Sequence, residues 1–142
     1  MKESRIRPLE LIERRVTVET SKLLKEAGFN MSCEYFYNEG SCYELQNDSL
    51  IRTGSGLVYE APTQSLVQLW LRDIHQINIG MSFKPNIKKW DFITYPMALT
   101  GRQYVMYYSE YYRNNNNRRY DKYELALEDA IIESINLIKS NN

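Results

Sequence analysis

Cysteine, histidine and proline are scarce in this 142-residue chain, at two, one and four residues. Two cysteines are too few to staple a small disulfide-dependent domain. The single histidine, His75, excludes a histidine-rich zinc site, and two cysteines with one histidine at these spacings match no zinc motif. No metal and no cofactor is therefore expected. Long apolar runs are also missing: none approaches the roughly 18–20 residues that cross a bilayer. The opening MKESRIRPLELIERR is charged where a signal peptide would be apolar. The expectation is a cytoplasmic protein with no membrane partner. An excess of one charge is absent as well. Eighteen basic residues against eighteen acidic ones give a formal net charge of zero, so no global field steers the chain toward nucleic acid. Any such role needs a local patch. Six glycines without a repeat, and a hydrophobic share of 43%, exclude a collagen-like or largely disordered chain.

What remains is a length suited to one domain over 1–142, with 1–16 as an arm or a short helix begun at Pro8. One bias stands out. Twelve tyrosines outnumber four phenylalanines, and many of them fall at 35–43 and 104–123. A tyrosine combines a large flat surface with a polar tip, which suits half-buried and contact positions.

Local patterns place the elements. Val18, Leu23, Leu24 and Ala27 have helical spacing, with Thr17 to cap the start and Gly28 to stop the end. Residues 31–46 read as a hairpin about Glu39-Gly40, with Cys42 opposite Tyr37 and Cys33 opposite about Gln46. The sulfurs are then too far apart to bridge, and both read as reduced thiols. Residues 47–56 read as a loop, and Leu57-Val58-Tyr59 as a short strand. A strong amphipathic helix follows, with Ala61 or Thr63 as cap, Pro62 in its first turn, and Leu66, Val67, Trp70, Leu71 and Ile74 as its apolar stripe. Ile77, Ile79, Met81 and Phe83 alternate with polar or small residues, the period of a strand. Lys89 to Met97 and the tyrosine-rich Gln103 to Tyr112 are read as two further strands, and Asn114 to Asn117 as a loop. The last helix is expected from Asp121 to about Lys139, buried along Leu127, Ala130, Ile131, Ile135 and Ile138. The fold class is α+β: an antiparallel three-stranded meander covered on one face by helices, in the order helix, hairpin, helix, three strands, helix.

No catalytic constellation emerges. Thr53-Gly54-Ser55-Gly56 lacks the following lysine and hydroxyl of a phosphate loop. His75 suits the end of a helix, where a cation meets the dipole, and no nucleophile is placed beside it. The sharper pattern is YYSEYYRNNNNRRYDKY at 107–123. Tyr107, Tyr111 and Tyr112 offer faces for stacking, and Arg113, Arg118 and Arg119 offer charge for phosphates. Arg118 and Arg119 precede a helix N-terminus, where two cations oppose the dipole and an anion would relieve them. Lys88 and Lys89, in the turn between two strands, form a second basic spot.

Two resemblances follow. The order helix, three strands, helix from Thr63 onward resembles the double-stranded-RNA-binding domain. The residues that grip RNA in that family are missing here: the last helix opens Asp121-Lys122-Tyr123-Glu124 and the strand turn is Lys84-Pro85-Asn86-Ile87-Lys88. The segments TSKLLKEAGF at 20–29, APTQSLVQLWLRDIH at 61–75, Trp90-Asp91-Phe92 and YELALEDAI at 123–131 are similar to a group of small proteins of gut Bacteroidetes and their phages. That group carries no assigned activity. The resemblance implies a phage or prophage accessory protein rather than a mechanism. The first expectation is thus a non-enzymatic protein-binding module, acting on a host factor, as a monomer or as a homodimer joined by a sheet edge or the arm. The alternative is nucleic-acid or nucleotide binding through the 107–123 segment.

Overall fold

The computed structural model describes residues 14–38, 41–44 and 58–140, and the chain divides into two compact units, Met1–Val67 and Gln68–Asn142. The fold is α+β, with two antiparallel sheets.

In the first unit, helix α1 spans Val18–Glu26. Thr17 caps it, its side chain accepting the Thr20 amide at 3.3 Å. Gly28 ends it at φ +90°, a left-handed value that glycine adopts without a Cβ penalty. The Phe29 and Gly28 amides then return to the Leu24 and Lys25 carbonyls at 2.9 and 3.2 Å, closing the end of the helix. Strands β1 (Tyr35–Asn38) and β2 (Ser41–Glu44) pair with Tyr37 opposite Cys42, the register expected of the hairpin. β3 (Val58–Glu60) adds to the other edge of β1. The expected loop at 47–56 and the position opposite Cys33 lie outside the described residues, as does most of the expected arm. Its end is held: Arg15 bridges Thr63, the Val16 amide donates to the Pro62 carbonyl at 3.0 Å, and Val16 is fully buried. Leu24, Phe36 and Ala61 are buried with it.

Helix α2 (Gln64–His75) begins at Thr63, whose hydroxyl accepts the Leu66 amide at 3.1 Å. Val67, Trp70 and Leu71 are buried as their spacing requires. Ile74, expected on the same stripe, is 59% exposed. The helix stops one residue later, where Gln76 turns left-handed at φ 55° and the His75 ring lies edge-on to Trp70, 4.5 Å between centroids.

In the second unit, β4 (Ile77–Lys84) and β5 (Lys89–Pro96) form a two-stranded ribbon in full register, from Ile77 opposite Pro96 to Lys84 opposite Lys89. The expected third strand is not a strand. Residues 103–112 belong to α3, Gly101–Asn115. Thr100 and Gln103 form a reciprocal capping box at its start. Tyr104, Tyr107, Tyr108, Tyr111 and Tyr112 then recur at helical intervals, with Tyr104–Tyr108 and Tyr108–Tyr112 ring contacts along the axis. Helix α4 (Tyr123–Ser140) completes the unit, buried along Leu127, Ala130, Ile131, Ile135 and Ile138.

Both faces of the ribbon are therefore covered, not one. Residues opposite each other across the strands share a face. Trp90, Phe92 and Thr94 meet Tyr123, Tyr120 and Glu133, so α4 and the segment before it lie on that face. On the other face Tyr95 meets Tyr104, and the Lys84 ammonium lies 5.5 Å from the Tyr112 ring, so α3 lies there. This double cover explains why β4 lacks the clean in–out alternation of burial that its sequence suggests.

Candidate functional site

Strand β5 has one edge toward β4 and one edge away from it. The alternation of the ladder points the backbone groups of Trp90, Phe92 and Thr94 outward. Each outward carbonyl is filled from α3 or from the chain between α3 and α4. The Tyr120 amide donates to the Trp90 carbonyl at 3.1 Å, Arg118 Nη2 to the Phe92 carbonyl at 2.6 Å, and the Tyr107 hydroxyl to the Thr94 carbonyl at 2.7 Å. Two side chains and a single backbone bridge thus take the place of a third strand.

Arg118 is the centre of this arrangement. Its Nη1 donates to Glu133 Oε1 at 3.1 Å and its Nη2 to the Tyr111 hydroxyl at 2.9 Å. Its Nε lies 3.4 Å from Asp91 Oδ1, and its guanidinium carbon sits 3.8 Å from the Phe92 ring centroid. Glu133 Oε2 also accepts the Thr94 hydroxyl at 2.6 Å and the Tyr111 hydroxyl. Asp91 is 1% exposed. One of its oxygens accepts the Phe92 amide at 2.7 Å, and the other faces the Lys84 ammonium at 3.9 Å. The anion that would relieve Arg118 before a helix N-terminus is supplied from within, by Asp91 and Glu133.

Burial and the neighbouring Glu133 carboxylate push the Tyr111 phenol well above its ordinary range. Burial likewise raises Tyr107 and Tyr112. Burial alone would lower Arg118, but its bond to Tyr111 and the charges of Glu133 and Asp91 carry it the other way.

The residues singled out in the sequence separate into two groups. Tyr107, Tyr111, Tyr112 and Arg118 converge on the ribbon and are half-buried. The Tyr107 and Tyr111 rings stack on one another, 6.0 Å apart and 27° from parallel. Arg113, Arg119 and Lys88 are exposed. Arg119 donates to the Asn116 and Arg118 carbonyls, both at 3.0 Å. Lys88 occupies a left-handed turn position at φ 58°, and Lys89 pairs with Asp121. Asp91 and Glu133 escaped notice in the sequence. Asp91 carried a signal, a charge between Trp90 and Phe92 in an otherwise apolar strand. Glu133 carried none, since an acid on a helix is commonly solvated.

The other features of chemical interest are quiet. Cys33 is a free thiol, pushed up to about 12 by burial and the nearby charge of Glu60. Burial lowers His75. Among the described residues no group of three or more His, Cys, Asp or Glu side chains is placed to hold a metal ion, and no helix is long and apolar enough to cross a membrane.

The outer side of α3 differs from its inner side. None of its residues is fully buried, and Val105 and Met106 are 63% and 69% exposed. At 100° per residue, Met106 lies on one stripe with Arg102 and Arg113. Neither arginine has an ion-pair partner among the described residues.

No protein-family model, no curated protein and no solved structure matches the chain.

Proposed function

We propose that this chain is a non-enzymatic protein-binding module that docks through the outer face of α3. The observation that carries this reading is the exposure of Val105 and Met106 on a well-capped helix whose inner side is engaged by the ribbon. Methionine adapts its shape to an opposing surface, and exposed apolar clusters are favoured contact sites. Arg102 and Arg113 flank Met106, so the complementary partner presents an apolar recess edged by carboxylates. We take a host protein as that partner, which is what the resemblance of the sequence to small phage proteins implies. A photo-crosslinking side chain at position 106 tests the reading. A discrete adduct that Val105→Asp disrupts, in a variant that keeps its helical circular dichroism, is the expected result. Adducts that are absent, or indifferent to Val105→Asp, overturn it.

The nucleic-acid reading keeps Arg113, Arg119 and Lys88 as exposed cations. Tyr107, Tyr111 and Arg118 are spent on the ribbon edge, so the protein-binding reading stands first. Salt-sensitive binding of labelled single-stranded or double-stranded RNA, lost in Arg113→Ala/Arg119→Ala, would reverse that order.

A further inference from the structure

The two edges of the ribbon are not alike. The edge of β5 is filled by Tyr120, Arg118 and Tyr107. The same ladder parity turns the backbone groups of Ile77, Ile79, Met81 and Phe83 away from β5. Among the described residues no hydrogen bond is made by those outward groups, so this edge of β4 is bare. Natural edge strands are usually guarded by a lysine, a proline, a bulge or a covering element. Between Ile77 and Phe83 there is no charge, no proline and no break in register; the first charge is Lys84 at the end.

We propose that the bare edge of β4 is a self-pairing surface, on which two copies of this chain join antiparallel about a twofold axis at Gly80 into a four-stranded sheet. The occupant is argued from the pattern of the strand itself. A twofold at Gly80 sets Ile79 against Met81 of the second copy and Ile77 against Phe83. These are the residues whose backbone groups face outward, so each pairing satisfies donors and acceptors on both chains. The side chains also match. Every pair on the α4 face is apolar with apolar, and Phe83, 46% exposed, gains an apolar neighbour. On the α3 face Asn78 meets Ser82, polar with polar, and Gly80 meets Gly80 with no side chain at the closest approach. A shift by one residue would point one partner's backbone groups inward; a shift by two sets either Phe83 against His75, before the start of the strand, or Ile77 against Pro85, which has no amide to donate. With zero net charge, the copies do not repel at long range. This surface is separate from the outer face of α3, and the proposal does not rest on that reading.

The test uses the full chain. Light scattering behind size exclusion should give twice 16.9 kDa, falling toward 16.9 kDa on dilution. Met81→Lys sets a cation against Ile79 of the second copy, with the two cations on a diagonal of one face about 7–8 Å apart, and should abolish the dimer while circular dichroism is kept; Met81→Pro, which removes an outward amide, should do the same. Register is read separately. In antiparallel hydrogen-bonded pairs the Cα atoms are about 5.5 Å apart, within disulfide reach. Oxidising a mixture of the Ile79→Cys and Met81→Cys variants should yield the 79–81 linked peptide by mass spectrometry, and Ile79→Cys alone should yield no 79–79 link. A monomer at every concentration overturns the proposal. So does a dimer that survives Met81→Lys, or one that forms the 79–79 link instead.

Discussion

Replacing Arg118 by alanine tests the central claim about the ribbon edge. The substitution removes donors from the Phe92 carbonyl, Glu133 and Tyr111, and it removes the charge beside Asp91. Asp91 is 1% exposed, and its remaining cation, Lys84, is 3.9 Å away and one-third exposed. Removing one partner from a buried pair costs about 3–5 kcal/mol. The Arg118 side chain is 18% exposed and Lys84 stays near, so the low end applies, about 3 kcal/mol. With a urea slope of about 2 kcal/mol per molar, the midpoint should fall by about 1.5 M. Equilibrium denaturation followed by tryptophan fluorescence reads this directly, since Trp90 adjoins Asp91. Two companions sharpen the result. Arg119→Ala, on an exposed side chain, should change stability by under about 0.5 kcal/mol. Asp91→Asn added to Arg118→Ala should recover about 1 kcal/mol, because the uncompensated buried charge is gone. A loss of less than about 0.5 kcal/mol in Arg118→Ala would refute the reasoning and return Arg118 to the pool of residues free to meet a ligand.

Two further outcomes are expected. Lys88→Gly removes a Cβ from a left-handed position. The gain, net of the added freedom of the unfolded chain, should be about 0.5–1 kcal/mol, seen as a higher thermal midpoint; a lower midpoint would show that the lysine side chain holds the turn. The raised phenols of Tyr107, Tyr111, Tyr112 and Tyr120 are held protonated in the folded state, by burial first. Their folded values exceed the unfolded one, so their contribution is complete below about pH 10 and is lost as the pH rises beyond it. Absorbance at the tyrosinate band should show a late-titrating group that becomes normal in denaturant, with stability falling above pH 10; a single unshifted titration of all tyrosines would contradict the packing of α3.

The elements whose local signals agree with one another were readable from the chain alone. Thr17 and Gly28 bound α1, Thr63 starts α2, and the alternation from Ile77 to Phe83 marks β4, because caps, left-handed turns and periodicity are short-range effects. The segment 103–112 shows how two periods can compete. Tyrosine and valine favour strands, and Tyr104, Met106 and Tyr108 alternate, yet the same tyrosines also recur at three and four residues. The capping box of Thr100 and Gln103 was the local signal that favours the helix. Once 103–112 is a helix, the ribbon lacks a third strand, and its edge must be filled some other way.

The roles of Arg118, Asp91 and Glu133 were decided by tertiary structure alone. Their side chains meet across β5, the start of α4's approach and the middle of α4 itself, and no spacing in the sequence links them. A charge reads as solvated until folding removes the water around it; only then does a distant partner become necessary. Sequence by itself determined an α+β chain without excess charge, rich in tyrosine and poor in the residues of metal and thiol chemistry. The tertiary structure decided which tyrosines turn inward, which arginine is committed, and which strand edge is left unpaired among the described residues, because those depend on which segments come to lie side by side.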